Sequence, residues 1–185
     1  VVPYNFIRPA RISKERQAIL NAIHARFGVA LSSYLSSRLR QAPDVTITSV
    51  EEVTFGEFLM SLADPCAAFV FDLGEKIGTQ AVVDVGTGFA HHLVDRFFGG
   101  PGGNADIGRA LTPLEQTVLQ GMVDRAMTLL QEAAGEHLPM TPTAAGFESL
   151  PGMLQLANRE DTVLTANIEI KTGSAEGLLI ICMPL

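Results

Sequence analysis

Apolar residues recur at helical spacing in two long stretches of this chain, and at strand spacing in two short paired ones. From about Lys14 to Arg40 the positions Leu20, Ile23, Phe27, Leu31, Tyr34 and Leu35 share one face, with Ser13 placed as an N-cap. From Pro113 to about His137 the residues Leu119, Met122, Val123, Ala126, Leu129, Leu130 and Ala133 do the same. That second helix opens on Thr112-Pro113-Leu114-Glu115, a capping box with proline at the first helical position, where its missing N–H costs nothing. Strand patterns come in pairs. Phe69–Leu73 and Thr79–Val85 flank the turn Gly74–Gly78, and Val163–Ile170 and Gly177–Met183 flank Thr172-Gly173-Ser174, so each pair predicts a hairpin.

The two sets are copies of one plan. Gln17, Leu20, Ile23, Arg26 and Leu31 correspond to Gln116, Leu119, Met122, Arg125 and Leu130, each 99 positions on. Phe71, Asp72, Leu73, Val82 and Val83 correspond to Ile168, Glu169, Ile170, Leu179 and Ile180, each 97 on. Thr54-Phe55-Gly56-Glu57 is a further capping box, opening a short helix that ends by Ala63-Asp64-Pro65, and Ser149–Ala157 is expected to form its counterpart. Only the first half carries an extra helix, Thr87–Phe98. The expected fold is a single three-layer α/β/α domain with a mixed or antiparallel central sheet and pseudo-two-fold halves at about 13–100 and 111–185.

Composition narrows the class of function. With 47% hydrophobic and 18% charged residues the chain is globular, and 13 basic against 20 acidic residues give a net charge of −7. Only three lysines are present, so a grip on nucleic-acid phosphates is excluded. Cys66 and Cys182 lie in apolar settings that suit buried thiols in a reducing, cytoplasmic compartment. No apolar run approaches the length of a membrane span. The absent initiator Met suggests a piece of a longer chain.

The extra helix runs into Gly99-Gly100-Pro101-Gly102-Gly103, before the polar connector Asn104–Ala110. Glycine admits positive φ and close backbone approach, whereas Pro101 fixes its own φ and restricts Gly100. The segment is thus a constrained bend, serving as a helix stop or as a contact surface. A phosphate loop would follow a strand, open a helix and supply a lysine, none of which holds here. His91 and His92 point about 100° apart on their helix, and His24 and His137 have no ligand-spaced partner, so exposed or half-buried histidines are expected rather than a metal site. No serine or cysteine sits in a nucleophile elbow, and no cofactor or small-molecule substrate is implied. Asp95 and Arg96, one turn before the bend, are either a solvated helix end or the rim of an interface. Of the adjacent Phe97 and Phe98, one is expected in the core and the other exposed.

Taken together, four segments carry a resemblance. They are Pro3–Glu15, the run Val94-Asp95-Arg96-Phe97-Phe98-Gly99-Gly100-Pro101-Gly102, the start Leu111–Gln116 and the end Glu176–Pro184. In order, they resemble the middle domain of the FliM family of flagellar motor switch proteins, which shares its fold with the chemotaxis phosphatases CheC and CheX. The resemblance implies a place in the switch ring at the base of the flagellum, on the cytoplasmic face of the inner membrane. It implies docking of FliG at Gly99, Gly100, Pro101 and Gly102, with Phe98, Arg96 and Asp95 beside them. Packing against neighbouring FliM subunits is expected around Gln17, Asn21, Arg38, Asp124 and Gln131 on the long helices. Contacts with CheY, mainly, and with FliN fall to segments outside this chain.

The same kinship raises the alternative of a CheC-like phosphatase acting on phosphorylated CheY. Such enzymes set Glu-x-x-Asn on one helix face. Here Thr117, Gly121 and Asp124 stand at those places on one helix, and Gln17, Asn21 and His24 on the other. Neither set keeps glutamate followed by asparagine, and a carboxylate at Asp124 would repel the phosphoryl group. A non-enzymatic interaction domain is therefore the expectation.

Overall fold

Local capping starts the long helices where the pattern places them, as the computed structural model of residues 12–102, 108–173 and 175–184 describes. Gly103, most of the connector Asn104–Ala110, Ser174 and the part of the Pro3–Glu15 motif ahead of Ile12 lie outside the described residues. In chain order the elements are α1 (Lys14–Leu39), β1 (Asp44–Thr54), α2 (Phe55–Ser61), β2 (Ala68–Asp72), β3 (Gln80–Asp84), α3 (Thr87–Phe97), α4 (Pro113–Ala134), β4 (Thr143–Glu148), β5 (Thr162–Lys171) and β6 (Glu176–Pro184). Single 3-10 turns occupy Gly135–His137 and Pro151–Met153. Ser13 accepts from the Arg16 N–H at 3.3 Å to open α1. Both expected capping boxes form, Thr54 with Glu57 and Thr112 with Glu115. Arg109 also chelates Glu115 through two contacts of 2.8 Å, and that guanidinium holds the Glu115 carboxyl well below the usual carboxylate range.

Six strands form one sheet in the order β1-β5-β6-β3-β2-β4, and every neighbouring pair is antiparallel. Exchanging β1 with β4, β2 with β5 and β3 with β6 reproduces that order reversed, so the pseudo-two-fold lies between β6 and β3. Each half lends its leading strand to the hairpin of the other. β1 joins β5 and β4 joins β2, which interlocks the halves.

The sequence reading did not anticipate β1 and β4. Both are edge strands. β1 breaks its alternation at a bulge between Ile47 and Ser49, and β4 carries small residues, Ala144, Ala145 and Gly146, with four of its six positions exposed. The helix expected over Ser149–Ala157 is corrected to one 3-10 turn. Glu148 Oε1 takes the N–H groups of Ser149 and Leu150 at 2.8 and 2.9 Å, Pro151 and Gly152 disfavour continuation, and Leu154 returns to extended backbone.

The layers are unequal. α1, α3 and α4 cover one face of the sheet over a core that includes Phe27, Leu31, Phe69, Phe71, Leu93, Leu119 and Ile168. Among the described residues the other face carries only α2 and the 3-10 turn Pro151–Met153, over Phe55, Phe58, Leu154, Cys66 and Cys182. Both cysteines are free and buried, and burial pushes the Cys66 thiol up to about 12 and the Cys182 thiol higher still, which leaves them unreactive. Among the described residues no helix is long and apolar enough to cross a membrane.

Histidine placement corrects the expectation of exposed or half-buried rings at three of the four positions, since His137 is exposed as expected. His24, His91 and His92 are all buried, because α3 is enclosed by α4 on one side and β6 on another while α1 turns His24 inward. His24 Nδ1 lies 2.8 Å from the Leu20 carbonyl, so the neutral ring donates there and its buried Nε2 has no partner. Burial accordingly lowers the His24 pKa. Unfolded chain takes up that proton near pH 6.5, whereas the folded ring resists until lower pH, so the unfolded state binds more protons in between. Stability is expected to fall as pH drops through this window and to level off below it. Urea melts from about pH 7.5 to 5 check this, with His24→Leu flattening that part of the slope; an unchanged slope in the variant contradicts the assignment.

Candidate functional site

α3 ends in a Schellman motif. Gly99 adopts φ +85°, its N–H reaches the Arg96 carbonyl at 3.1 Å, and the Gly100 N–H reaches back to the Asp95 carbonyl at 2.8 Å. Gly99 therefore is a helix stop, but the remaining bend has a different anchorage. The Asp95 carboxylate accepts from the Gly102 N–H at 2.7 Å, so one residue holds the bend at both ends, by its carbonyl and by its side chain. Arg96 donates to the Gly100 carbonyl at 3.4 Å and to the Leu39 carbonyl at 2.9 Å, tying the bend to the end of α1. Asp95 and Arg96 are thus braces within the domain, a role that the choice between solvated helix end and interface rim left out.

Two glycines of the bend are required by close approach. A Cβ on Gly100 would stand 2.3 Å from Asp95 Oδ1, and one on Gly102 would stand 2.6 Å from both Arg96 Cδ and His92 Cε1. Gly102 is buried and sets shape from below, whereas Gly99 and Pro101 are exposed. The phenylalanines divide as expected. Phe97 packs against the main core, and Phe98 stands 65% exposed beside the bend.

Beside this knuckle runs a groove of about 420 Å³, bounded by Arg38, Leu39 and Arg40 at the end of α1 and by Arg96 to Gly100. Arg40 is the only non-glycine residue with positive φ among the described residues, at φ 51° and ψ 33°. Sequence reasoning passed over it, although Pro43 marks where the helix must end and a left-handed residue is a common way of ending one.

The residues expected at subunit contacts are not gathered into one patch. Gln17 and Arg38 lie at opposite ends of α1, about 32 Å apart along a helix that rises 1.5 Å per residue. Gln17 Nε2 is engaged within the domain, by the Val50 carbonyl at 2.7 Å and Asn21 Oδ1 at 3.1 Å. On α4, Asp124 is exposed and accepts from Gln120 at 2.7 Å, and the half-buried Gln131 gives its carbonyl to the Gly135 N–H. The phosphatase positions fare similarly, since His24 is buried, the Gln17 amide is occupied and Thr117 bonds to the Pro113 carbonyl.

Comparison with known proteins gives a consistent picture. A family model described as flagellar motor switch protein FliM matches residues 13–185. FliM of Treponema pallidum is 30% identical over 181 residues, which cover 98% of this chain and 52% of that protein. The chain thus spans about half the length of the relatives it matches. Among solved structures, the FliG–FliM complex from H. pylori aligns with a TM-score of 0.88 and 30% identity over 94% of each chain. The FliM middle domain from H. pylori aligns with a TM-score of 0.83 and 28% identity, again over 94% of each chain. A CheC-like superfamily protein from Shewanella, 7% identical, shares the fold with a TM-score of 0.53 over 87% of this chain and 96% of its own.

Proposed function

Since this chain belongs to the FliM family of flagellar motor switch proteins, we propose that it is the family's middle domain and docks FliG through the knuckle Gly99–Gly102. One observation carries the reading. A nearly side-chain-free bend is held rigid from within by Asp95 and Arg96 while Phe98, Gly99 and Pro101 face outward, an arrangement a mere helix stop does not need. Rigid backbone beside an exposed aromatic is a low-entropy contact surface, because little has to be ordered on binding. The FliG–FliM complex of the H. pylori relative supports FliG as the partner.

On this reading the domain is non-enzymatic and works within the switch ring on the cytoplasmic face of the inner membrane. Neighbouring copies pack through the outer faces of α1 and α4, around Gln17, Asn21, Asp124 and Gln131, whereas Arg38, at the far end of α1, borders the knuckle. CheY-dependent reversal of rotation is then a change in how these domains tilt, driven by differential affinity for two arrangements. FliN and most of the CheY contact belong to other parts of the protein.

Phe98→Ala tests the docking role cleanly, because the ring is exposed and its loss leaves the core intact. FliG affinity is expected to weaken by roughly tenfold, as for an aromatic at the edge of a contact, with the melting temperature unchanged. A titration of labelled chain with FliG should move the amide signals of Phe98, Gly99, Gly100 and Gly102. Unchanged affinity together with a footprint elsewhere would overturn the proposal.

A further inference from the structure

We propose that the groove between the end of α1 and the knuckle is a carboxylate-binding subsite, which receives an acidic side chain of the protein that docks on the knuckle. The inference rests on the docking reading and adds the chemistry of the contact. Three arginines, Arg38, Arg40 and Arg96, line this groove. Among the described residues none of the three has a carboxylate within ion-pair distance, although Arg109 and Arg125 are paired with Glu115 and Glu132. In a chain of net charge −7 such a concentration of unpaired positive charge is a local exception. The nearby Asp95 carboxylate does not line the groove and is held by the Gly102 N–H.

Backbone conformation supplies an independent observation. Arg40 occupies a left-handed position at which glycine would sit without strain, so its side chain stands there against local conformational preference. Arg96 spends two donors on the Leu39 and Gly100 carbonyls, and a guanidinium carries five. Its remaining N–H groups, with those of Arg38 and Arg40, suit a planar two-oxygen acceptor. The subsite is continuous with the exposed Phe98 and Gly99, so one partner segment would cover both.

The competing account is that arginines at the end of α1 only complement its dipole. Arg40→Gly separates the two. It removes the strained residue, so the melting temperature is expected to hold or rise, while FliG affinity falls by roughly tenfold. Arg38→Glu with Arg40→Glu is expected to weaken FliG by roughly a hundredfold. Wild-type affinity should decline between about 50 and 500 mM salt, and the double variant should lose most of that dependence. A lower melting temperature in Arg40→Gly with intact binding assigns the arginine to helix capping and overturns the proposal. Failure of the wild-type chain to bind FliG overturns the docking reading as well. Tight wild-type binding that neither charge variants nor salt alter overturns the subsite alone.

Discussion

Gly102→Ala is expected to destabilise the domain by about 2–4 kcal/mol and to weaken FliG binding by more than the exposed Phe98→Ala does. Two costs add. Gly102 sits at φ +73°, where an L-residue loses about 1–2 kcal/mol, and its new methyl group would stand 2.6 Å from His92 Cε1 and Arg96 Cδ. His92 is 1% exposed and cannot swing aside, so the bend itself must move. Moving it breaks the Asp95 contact to the Gly102 N–H and shifts Gly99 and Pro101 at the surface. Gly99→Ala is the control, because its Cβ would meet open space and only the φ +85° strain remains, about 1 kcal/mol. Urea melts and FliG titrations of the two variants check the contrast. Equal losses would mean that the bend is not supported from beneath.

Gly177→Ala, far from the knuckle in sequence, is expected to cost about 3 kcal/mol and to impair docking with it. A Cβ there would lie 2.0 Å from Phe89 Cγ and 2.5 Å from Cδ2, so α3 rests directly on the β6 backbone. The Phe89 ring stacks on His92 with centroids 5.7 Å apart, and His92 lies under Gly102. A continuous packed column therefore runs from β6 through Phe89 and His92 to the knuckle. Lifting Phe89 tilts the whole support. Phe89→Ala in the same chain should recover part of the loss, giving a coupling of about 1–3 kcal/mol in a double-mutant cycle. Additive losses would show that the two residues do not bear on each other, and unaltered FliG affinity in Gly177→Ala would separate the column from docking.

Much of the frame was legible because its causes are local. A capping box is a contact over three residues, so Thr54 and Thr112 mark their helix starts without any knowledge of the fold. Both hairpins follow from alternation and an intervening turn, and the repeat at offsets of 99 and 97 anticipates the two-fold order of the sheet. Phe98 was separable from Phe97 by helical geometry, although which of the two faced outward was not. By contrast, β1 and β4 hold weak patterns because each is an edge strand whose partner comes from the other half, and no local rule reports a partner more than 70 residues away. The buried histidines escaped notice for the same reason. Adjacent side chains on a helix both become buried only when two other elements close on it, as α4 and β6 close on α3.

By itself, then, the sequence determined the helices, the hairpins, their duplication and the existence of a stiff glycine bend at residues 99–102. The helices, hairpins and bend follow from φ preference, hydrogen bonding or periodicity over short stretches, and the duplication from matching those local patterns 97 and 99 positions apart. Tertiary structure alone decided what the bend is for mechanically. It brought the Leu39 carbonyl to Arg96, placed His92 under Gly102, set Phe89 on Gly177 and gathered Arg38, Arg40 and Arg96 around one groove. Apart from the approach of His92 to Gly102, those contacts join residues more than 50 positions apart, and the geometry of all of them depends on how α1, α3 and β6 pack, which steric fit in the assembled core settles.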